Sequence, residues 1–157
     1  MAFNAFLNIP GLSGESTDDQ HEGWMGVLSF SEGLSSTASP VTSGGAAGDV
    51  QVQDFSITKF VDTATPGLRG AICGREVFPE VAFEVCQTSG DKHKYLEIKM
   101  SDVMVASVRS HGTSTQAEGL PSEEVTLRFS KIEWNYSPMG GTSGMFSVWW
   151  DFSRAEG

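Results

Sequence analysis

The sequence predicts a mainly β protein, a small β-barrel or roll of two bent sheets with one short α-helix at its flank. Three observations carry this reading. Apolar residues recur at every second position through several segments, the period of strands with one buried face. Twice that alternation changes parity within a segment, as it does where a bulge turns a strand from one sheet into another. Helix signals cluster at one place, around Pro66.

Taken in order, Phe3, Ala5, Leu7 and Ile9 form the buried face of a first strand, with Asn4 and Asn8 on the other side. Trp24 to Ser31 reads as a second strand in which Trp24, Gly26, Leu28 and Phe30 share the core face while Ser29 and Ser31 point away. Val50 and Val52 share a parity that changes to Phe55 and Ile57 across Gln53 and Asp54, which calls for a bulge or sharp twist. Val81, Phe83 and Val85 pair with Leu96, Ile98 and Met100 in a hairpin joined through Thr88 to Lys92. Val125, Leu127 and Phe129 give way to Ile132, Trp134 and Tyr136 across Ser130 and Lys131, the second change of face. Phe146, Val148, Trp150 and Phe152 make a last strand. Long strands that turn corners in this way build barrels and rolls.

The helix is expected over 65–73, with Thr65 as N-cap, Pro66 at the first helical position and Gly74 as terminator. Leu68, Ala71 and Ile72 share one side. Gly67 and Gly70 each weaken it by about 1 kcal/mol relative to Ala, so packing against the sheet has to hold it. Residues 33–48 form a long loop without a charged residue. A loop of that length in a compact domain is commonly functional, and Leu34 and Val41 would be wet within it unless a partner covers them.

A chain of 157 residues is expected to form one domain over 1–157, able to bury roughly 70% of its unfolded surface without a metal or disulfide. Ten Lys and Arg stand against 20 Asp and Glu, a net charge of -10 that repels nucleic acid and anionic membranes alike. Cys73 and Cys86 are too few for a disulfide framework and are expected reduced and buried. The N-terminus lacks a basic region before its apolar residues, and no run of about 18 apolar residues occurs, so neither a signal peptide nor a membrane span is expected.

The sequence offers no convergent set of reactive groups. His21, His93 and His111 are isolated and read as surface or loop histidines, the cysteines are not a C-x-x-C pair, and no metal or cofactor is expected. No G-x-S-x-G elbow is present, and Gly44 to Gly48 is neither a Walker loop nor a dinucleotide fingerprint. Cys86, Asp91 and His93 lie close in sequence, but nothing local would lower the thiol pKa. Asn135-Tyr136-Ser137 matches a glycosylation pattern inside a strand, where chance explains it.

The ordered series of segments is more informative than any one of them. Gly11 to Ser16, then His21, then Ser29 to Gly33, resembles the N-terminal pattern of the haemolysin-coregulated protein (Hcp) family, tube subunits of type VI secretion systems. Gly44 to Gly48, Val52 to Lys59 and Asp62 to Leu68 resemble its central block. Tyr95 to Lys99, Val103 to Val108 and Glu124 to Ile132 continue the likeness almost to the C-terminus. The resemblance implies six copies closing into a ring, rings stacking into a hollow tube inside a contractile sheath, a spike protein at the tip, and effectors carried in the lumen. It implies a non-enzymatic protein unless a toxin domain follows the barrel, and none is expected so soon after Phe152. Location is then cytoplasmic before firing and outside the cell afterwards, without a cleaved signal peptide. Ser29 and Ser31 are the expected lumen-facing cargo contacts, and Leu34, Ser39, Val41 and Thr42 the expected ring-stacking or sheath contacts. Two other readings share the β pattern: a phage-type tail-tube subunit and a lone small-ligand-binding β-barrel.

Overall fold

The computed structural model describes residues 3–37, 50–88, 92–114, 119–138, 144–154 and 156–157. Its strands are β1 (Phe3–Asn8), β2 (Met25–Val27), β3 (Ser29–Ser31), β4 (Leu34–Ser36), β5 (Val50–Val52), β6 (Phe55–Phe60), β7 (Val77–Gln87), β8 (Lys94–His111), β9 (Ser122–Arg128), β10 (Lys131–Tyr136) and β11 (Phe146–Asp151), with one helix, α1 (Thr65–Cys73). Nine strands form one antiparallel sheet whose path runs β2-β1-β7-β8-β9-β6-β3, with β10 attached to β8 and β11 to β10. Among the described strands β4 and β5 pair with each other and with no third strand.

The 18-residue strand β8 is the spine. Its first half pairs with β10 (Ile98 opposite Trp134) and its second half with β9 (Val105 opposite Leu127). Between the halves Asp102 adopts φ 53°, the left-handed region, and its carboxylate accepts from Ser130 Oγ at 2.9 Å. The buried residues change parity at that point, from Ile98 and Met100 to Val103 and Val105. The second predicted change of face, between Phe129 and Ile132, is the other side of this corner, because Ser130 N–H donates to Ser101 O at 3.1 Å. The predicted hairpin register also holds, with Val81, Phe83 and Val85 opposite Met100, Ile98 and Leu96.

Elsewhere the structure departs from the sequence reading. The main sheet is a roll whose strand ladder is open, so "barrel" describes its curvature only. The two strands that end its path, β2 and β3, follow each other in the chain with Leu28 between them, and Leu28 N–H donates to Thr58 O at 2.7 Å. The predicted second strand is thus split, and its core face is carried by Met25 at 0% exposure and then by half-buried Phe30, whereas Leu28 is 48% exposed. Across Gln53 and Asp54 there is a break between two sheets where a bulge was expected, since β5 belongs to the separate pair and β6 to the main sheet. Part of the predicted loop 33–48 is strand β4, and residues 38–48 of it lie outside the described residues.

Leu7, Met25, Phe55, Phe83, Ile98, Met100 and Leu127 are wholly buried inside the roll, and each such side chain stabilises by about 1.5–3 kcal/mol relative to exposure. Helix α1 covers one end through Leu68 and Ala71. Its N-cap is Ala64, without a side-chain cap; Thr65 is already helical, and Asp62 Oδ1 accepts from Ala64 N–H at 2.9 Å just ahead of the first turn. Gly67 packs closely on Leu12: a Cβ there would lie 2.6 Å from Leu12 Cδ2, so the leucine side chain would have to shift. Among the described residues no helix is long and apolar enough to cross a membrane.

Candidate functional site

The outward parity of β3, β6, β9 and the second half of β8 carries small hydroxyl side chains. Strand register aligns Ser31, Ser56, Thr126 and Ser107 in one row across four strands, and Ser29, Thr58, Glu124 and Arg109 in the next. At about 4.8 Å between strands, the first row is an uncharged hydroxyl stripe roughly 14 Å long. Ser29 and Ser31 are exposed, and Ser56 Oγ and Thr126 Oγ1 share a hydrogen bond at 3.3 Å. Phe30, between the two serines, turns inward to pack on Phe83 at 4.7 Å between ring centroids. The sequence placed Ser29 and Ser31 on this surface; the residues it missed are those that register aligns with them from 25 to 95 positions away.

The β4–β5 pair continues the β3–β6 ladder beyond one end. Leu34 stands directly opposite Val52, and every residue of both strands is exposed. Of the predicted contact residues, Leu34 lies on this arm at 46% exposure, while Ser39, Val41 and Thr42 lie outside the described residues. A second apolar surface follows β10 and β11, where Tyr136, Phe146, Val148 and Trp150 share one face and all remain exposed. Among the described residues β11 is an edge strand, paired along its length with β10 and bridged at Asp151 to Glu156.

Two buried polar clusters hold the roll. Lys59 and Glu123 face each other on neighbouring strands, both at 0% exposure, with Nζ donating to Glu123 Oε2 at 2.7 Å, to Asp62 Oδ1 at 2.8 Å and to Phe60 O at 3.0 Å. Arg69 and Thr65 of α1 donate to the same glutamate at 3.0 and 2.8 Å, tying the helix to the sheet. Burial pushes the Glu123 carboxyl up, but the hydrogen bonds from Lys59, Thr65 and Arg69 outweigh it and hold the group below its ordinary value. Sequence carried a signal for this pair: Lys59 and Glu123 occupy core-facing positions of otherwise apolar alternations.

The second cluster refines the reading of His21 as a surface or loop residue: it lies in the loop before β2 but not at the surface. It is buried at 2% exposure, stacked on Phe6 at 4.1 Å, with Nδ1 2.6 Å from Asp18 Oδ2 and Nε2 2.7 Å from Glu84 Oε1. This clamp fastens the segment before β2 onto β7, and the hydrogen bond to His21 is the main reason that the Asp18 carboxyl lies below its ordinary value.

Asp18 and His21 line a cavity of about 160 Å³ together with Phe6, Cys86 and Lys92. Cys86 is buried, and desolvation, reinforced by Glu84 and Asp18, pushes its thiol up to about 11, which keeps it protonated and poorly nucleophilic at neutral pH. Cys73, expected to be buried, is exposed at the end of α1. His93 contacts Ser137 O at 3.3 Å, and Asp91 lies outside the described residues. Asn135 is buried and donates to Glu97 and Glu133, so its side chain is occupied within the sheet. Among the described residues no group of His, Cys, Asp and Glu is arranged to hold a metal ion.

Fold and surface therefore define a rolled β-sheet protein whose distinctive features are a hydroxyl-bearing face, an apolar arm and an apolar edge. The sequence model described as "Type VI secretion system effector, Hcp" matches residues 6–136. The hcp1 protein of Pseudomonas aeruginosa is 35% identical over 140 residues, 88% of this chain and 85% of that protein. Among solved structures, one titled "Structure of a type six secretion system protein" is 27% identical with a TM-score of 0.91, and Hcp1 from Salmonella typhimurium is 26% identical with a TM-score of 0.84; each alignment covers 99% of both chains. The chain belongs to the Hcp family of type VI secretion system effectors, structural proteins of that secretion machinery. Membership favours this family over a phage-type tail-tube subunit or a lone ligand-binding barrel.

Proposed function

We propose that the chain is the structural subunit of a type VI inner tube: six copies close into a ring, rings stack into a hollow tube, and the tube is fired from the cytoplasm with effectors in its lumen. The observation that carries this reading is the β4–β5 arm. A two-stranded pair is at best marginal alone in water, and this one stands apart from the main sheet with Leu34, Val50 and Val52 uncovered. Contact with another copy would stabilise both its backbone pairing and its side chains. Ring closure uses the apolar edge at β10 and β11, in a head-to-tail contact between different patches that stops at a fixed number of copies.

The face bearing Ser29 and Ser31 then lines the lumen. Hydroxyls bind water and form exchangeable hydrogen bonds with a protein surface, so the wall is wettable without holding cargo through strong charge pairing. Sheath and spike engage the outer wall and the tip, and no nucleic acid or membrane insertion is involved. Replacing Ser31→Gln places a long amide in the lumen and is expected to weaken co-purification of an effector while rings remain intact on electron micrographs. Unchanged binding of every lumen cargo would remove Ser31 from this role. Deleting residues 34–41 is expected to abolish tubes and secretion; full-length tubes from that variant would take the stacking role away from the arm.

A further inference from the structure

Among the described residues, the face that bears Ser29 and Ser31 carries four charges, and they balance. Arg109 of β8 stands directly opposite Glu124 of β9. Arg128, two rows further along β9, donates from Nε to Asp54 Oδ2 at 3.3 Å just ahead of β6. The two pairs flank the uncharged stripe of Ser31, Ser56, Thr126 and Ser107, one on each side. The whole chain has 10 basic and 20 acidic residues, so taking away these two of each leaves 8 against 18 elsewhere. A neutral face on so acidic a chain departs from the composition around it.

The pairs do little for the fold. Side chains of Arg128 and Asp54 are 71% and 37% exposed, Arg109 and Glu124 are exposed as well, and ion pairs in such settings add little to stability. Their effect is on the field in front of the sheet. A concave surface lined by one sign of charge collects partners of the other sign and repels its own. Where the same face is repeated by every copy around a lumen, an unmatched arginine would recur in each copy and turn the wall into a trap for acidic protein; an unmatched glutamate would shut acidic protein out. With each guanidinium matched by a carboxylate, the hydroxyl stripe is what remains to hold a partner.

We infer that this face selects its cargo by uncharged polar contact: it takes protein surfaces rich in Ser, Thr, Asn, Gln and open backbone amides, with Ser56, Ser107 and Thr126 as contact residues beside Ser31, and is indifferent to the cargo's net charge. This rests on the lumen reading above and adds to it the chemical class of surface carried and three further contact residues. A hydroxyl donates one hydrogen bond and accepts others, so a single stripe fits partners of varied sequence. Asp54 and Glu124 act through the arginines they neutralise, keeping Arg128 and Arg109 from sorting cargo by sign.

The test uses intact rings of the full-length protein and two short peptides carrying an uncharged dye, one built of Ser, Asn, Gln and Gly and the other with Asp at every third position, with binding read by fluorescence anisotropy. Raising NaCl from about 50 to about 500 mM shortens the screening length severalfold and is expected to change the Kd of the neutral peptide by less than about twofold. Thr126→Val and Ser107→Ala are each expected to weaken that peptide at least about threefold while ring mass persists. Asp54→Asn combined with Glu124→Gln leaves both arginines unmatched. That variant is expected to bind the acidic peptide at least about tenfold more tightly than the parent in low salt, to lose the gain in high salt, and to unfold at the parent's temperature. The acidic peptide reads this face alone, because the rest of the chain repels it. Failure of the parent to bind the neutral peptide, its release by salt, binding unchanged in both hydroxyl variants, or no gain for the acidic peptide would each overturn the inference. A protein that forms no rings, or rings in which Ser31→Gln binds the neutral peptide as the parent does, counts instead against the tube and lumen reading.

Discussion

The roll and its margins treat charge and apolar surface in opposite ways. Inside, Lys59 and Glu123 are wholly buried charges with every polar atom partnered through Asp62, Thr65, Arg69 and the chain itself. At the margin, Phe146 and Val148 of β11 are 65% and 60% exposed. A folded chain seldom tolerates buried charge or uncovered aromatics without a reason. Here the first serves the monomer, by fixing α1 and the strands around it, and the second is surface held for assembly. The difference predicts that substitutions in the two regions separate stability from association.

The largest effect belongs to the buried cluster. Lys59→Met removes three hydrogen bonds and leaves Glu123 with only α1 as partner, so urea unfolding is expected to show a loss of about 3–5 kcal/mol. Adding Glu123→Leu to that variant is expected to restore a substantial part of the loss, because no uncompensated charge then stays buried. A single substitution without cost would show that the cluster does not hold the roll.

A smaller effect follows from acidity. Asp18, Glu97 and Glu123 all lie below their ordinary carboxyl values in the folded chain. Groups of this kind contribute stability above the unfolded value, 4.5 for glutamate, and lose it as pH falls through the lower folded value. The urea midpoint is therefore expected to be level from pH 7 to about pH 5 and to drop below that, with a shallower drop in Lys59→Met. An acid limb of equal steepness in the two proteins would separate Glu123 from the pH dependence.

The smallest effect on folding, and the sharpest contrast, is at the edge. Val148→Thr and Phe146→Ser are expected to change unfolding free energy by no more than about 0.5 kcal/mol while reducing ring formation at a given concentration. Sedimentation velocity alongside urea unfolding reads both quantities. A large loss of monomer stability would show that β11 belongs to the core after all.

Much of this architecture was legible in period and punctuation. The hairpin of Val81, Phe83 and Val85 with Leu96, Ile98 and Met100 follows from alternation around a turn, and α1 from Pro66 and Gly74. What failed were features set by distant partners. Nothing local marks His21 as buried, because Glu84 and Phe6 come from other strands. Leu28 reads as core by parity, yet the chain passes there from β1 to β6 and its side chain is left outside. The corner at Asp102 lies inside one 18-residue strand, so only its other side, at Ser130 and Lys131, stood out in the sequence. Of the hydroxyl face, two serines were readable in one strand; the row they belong to exists only in the register of four.

Assembly is the claim on which the function depends, and native mass measurement of the purified protein with electron microscopy of the same sample tests it most directly. The account predicts a closed ring at six times the 16.8 kDa chain mass, with annular particles and, at higher loading, stacks of them. A lone 16.8 kDa species at every concentration, with no annular particle in any field, would contradict it.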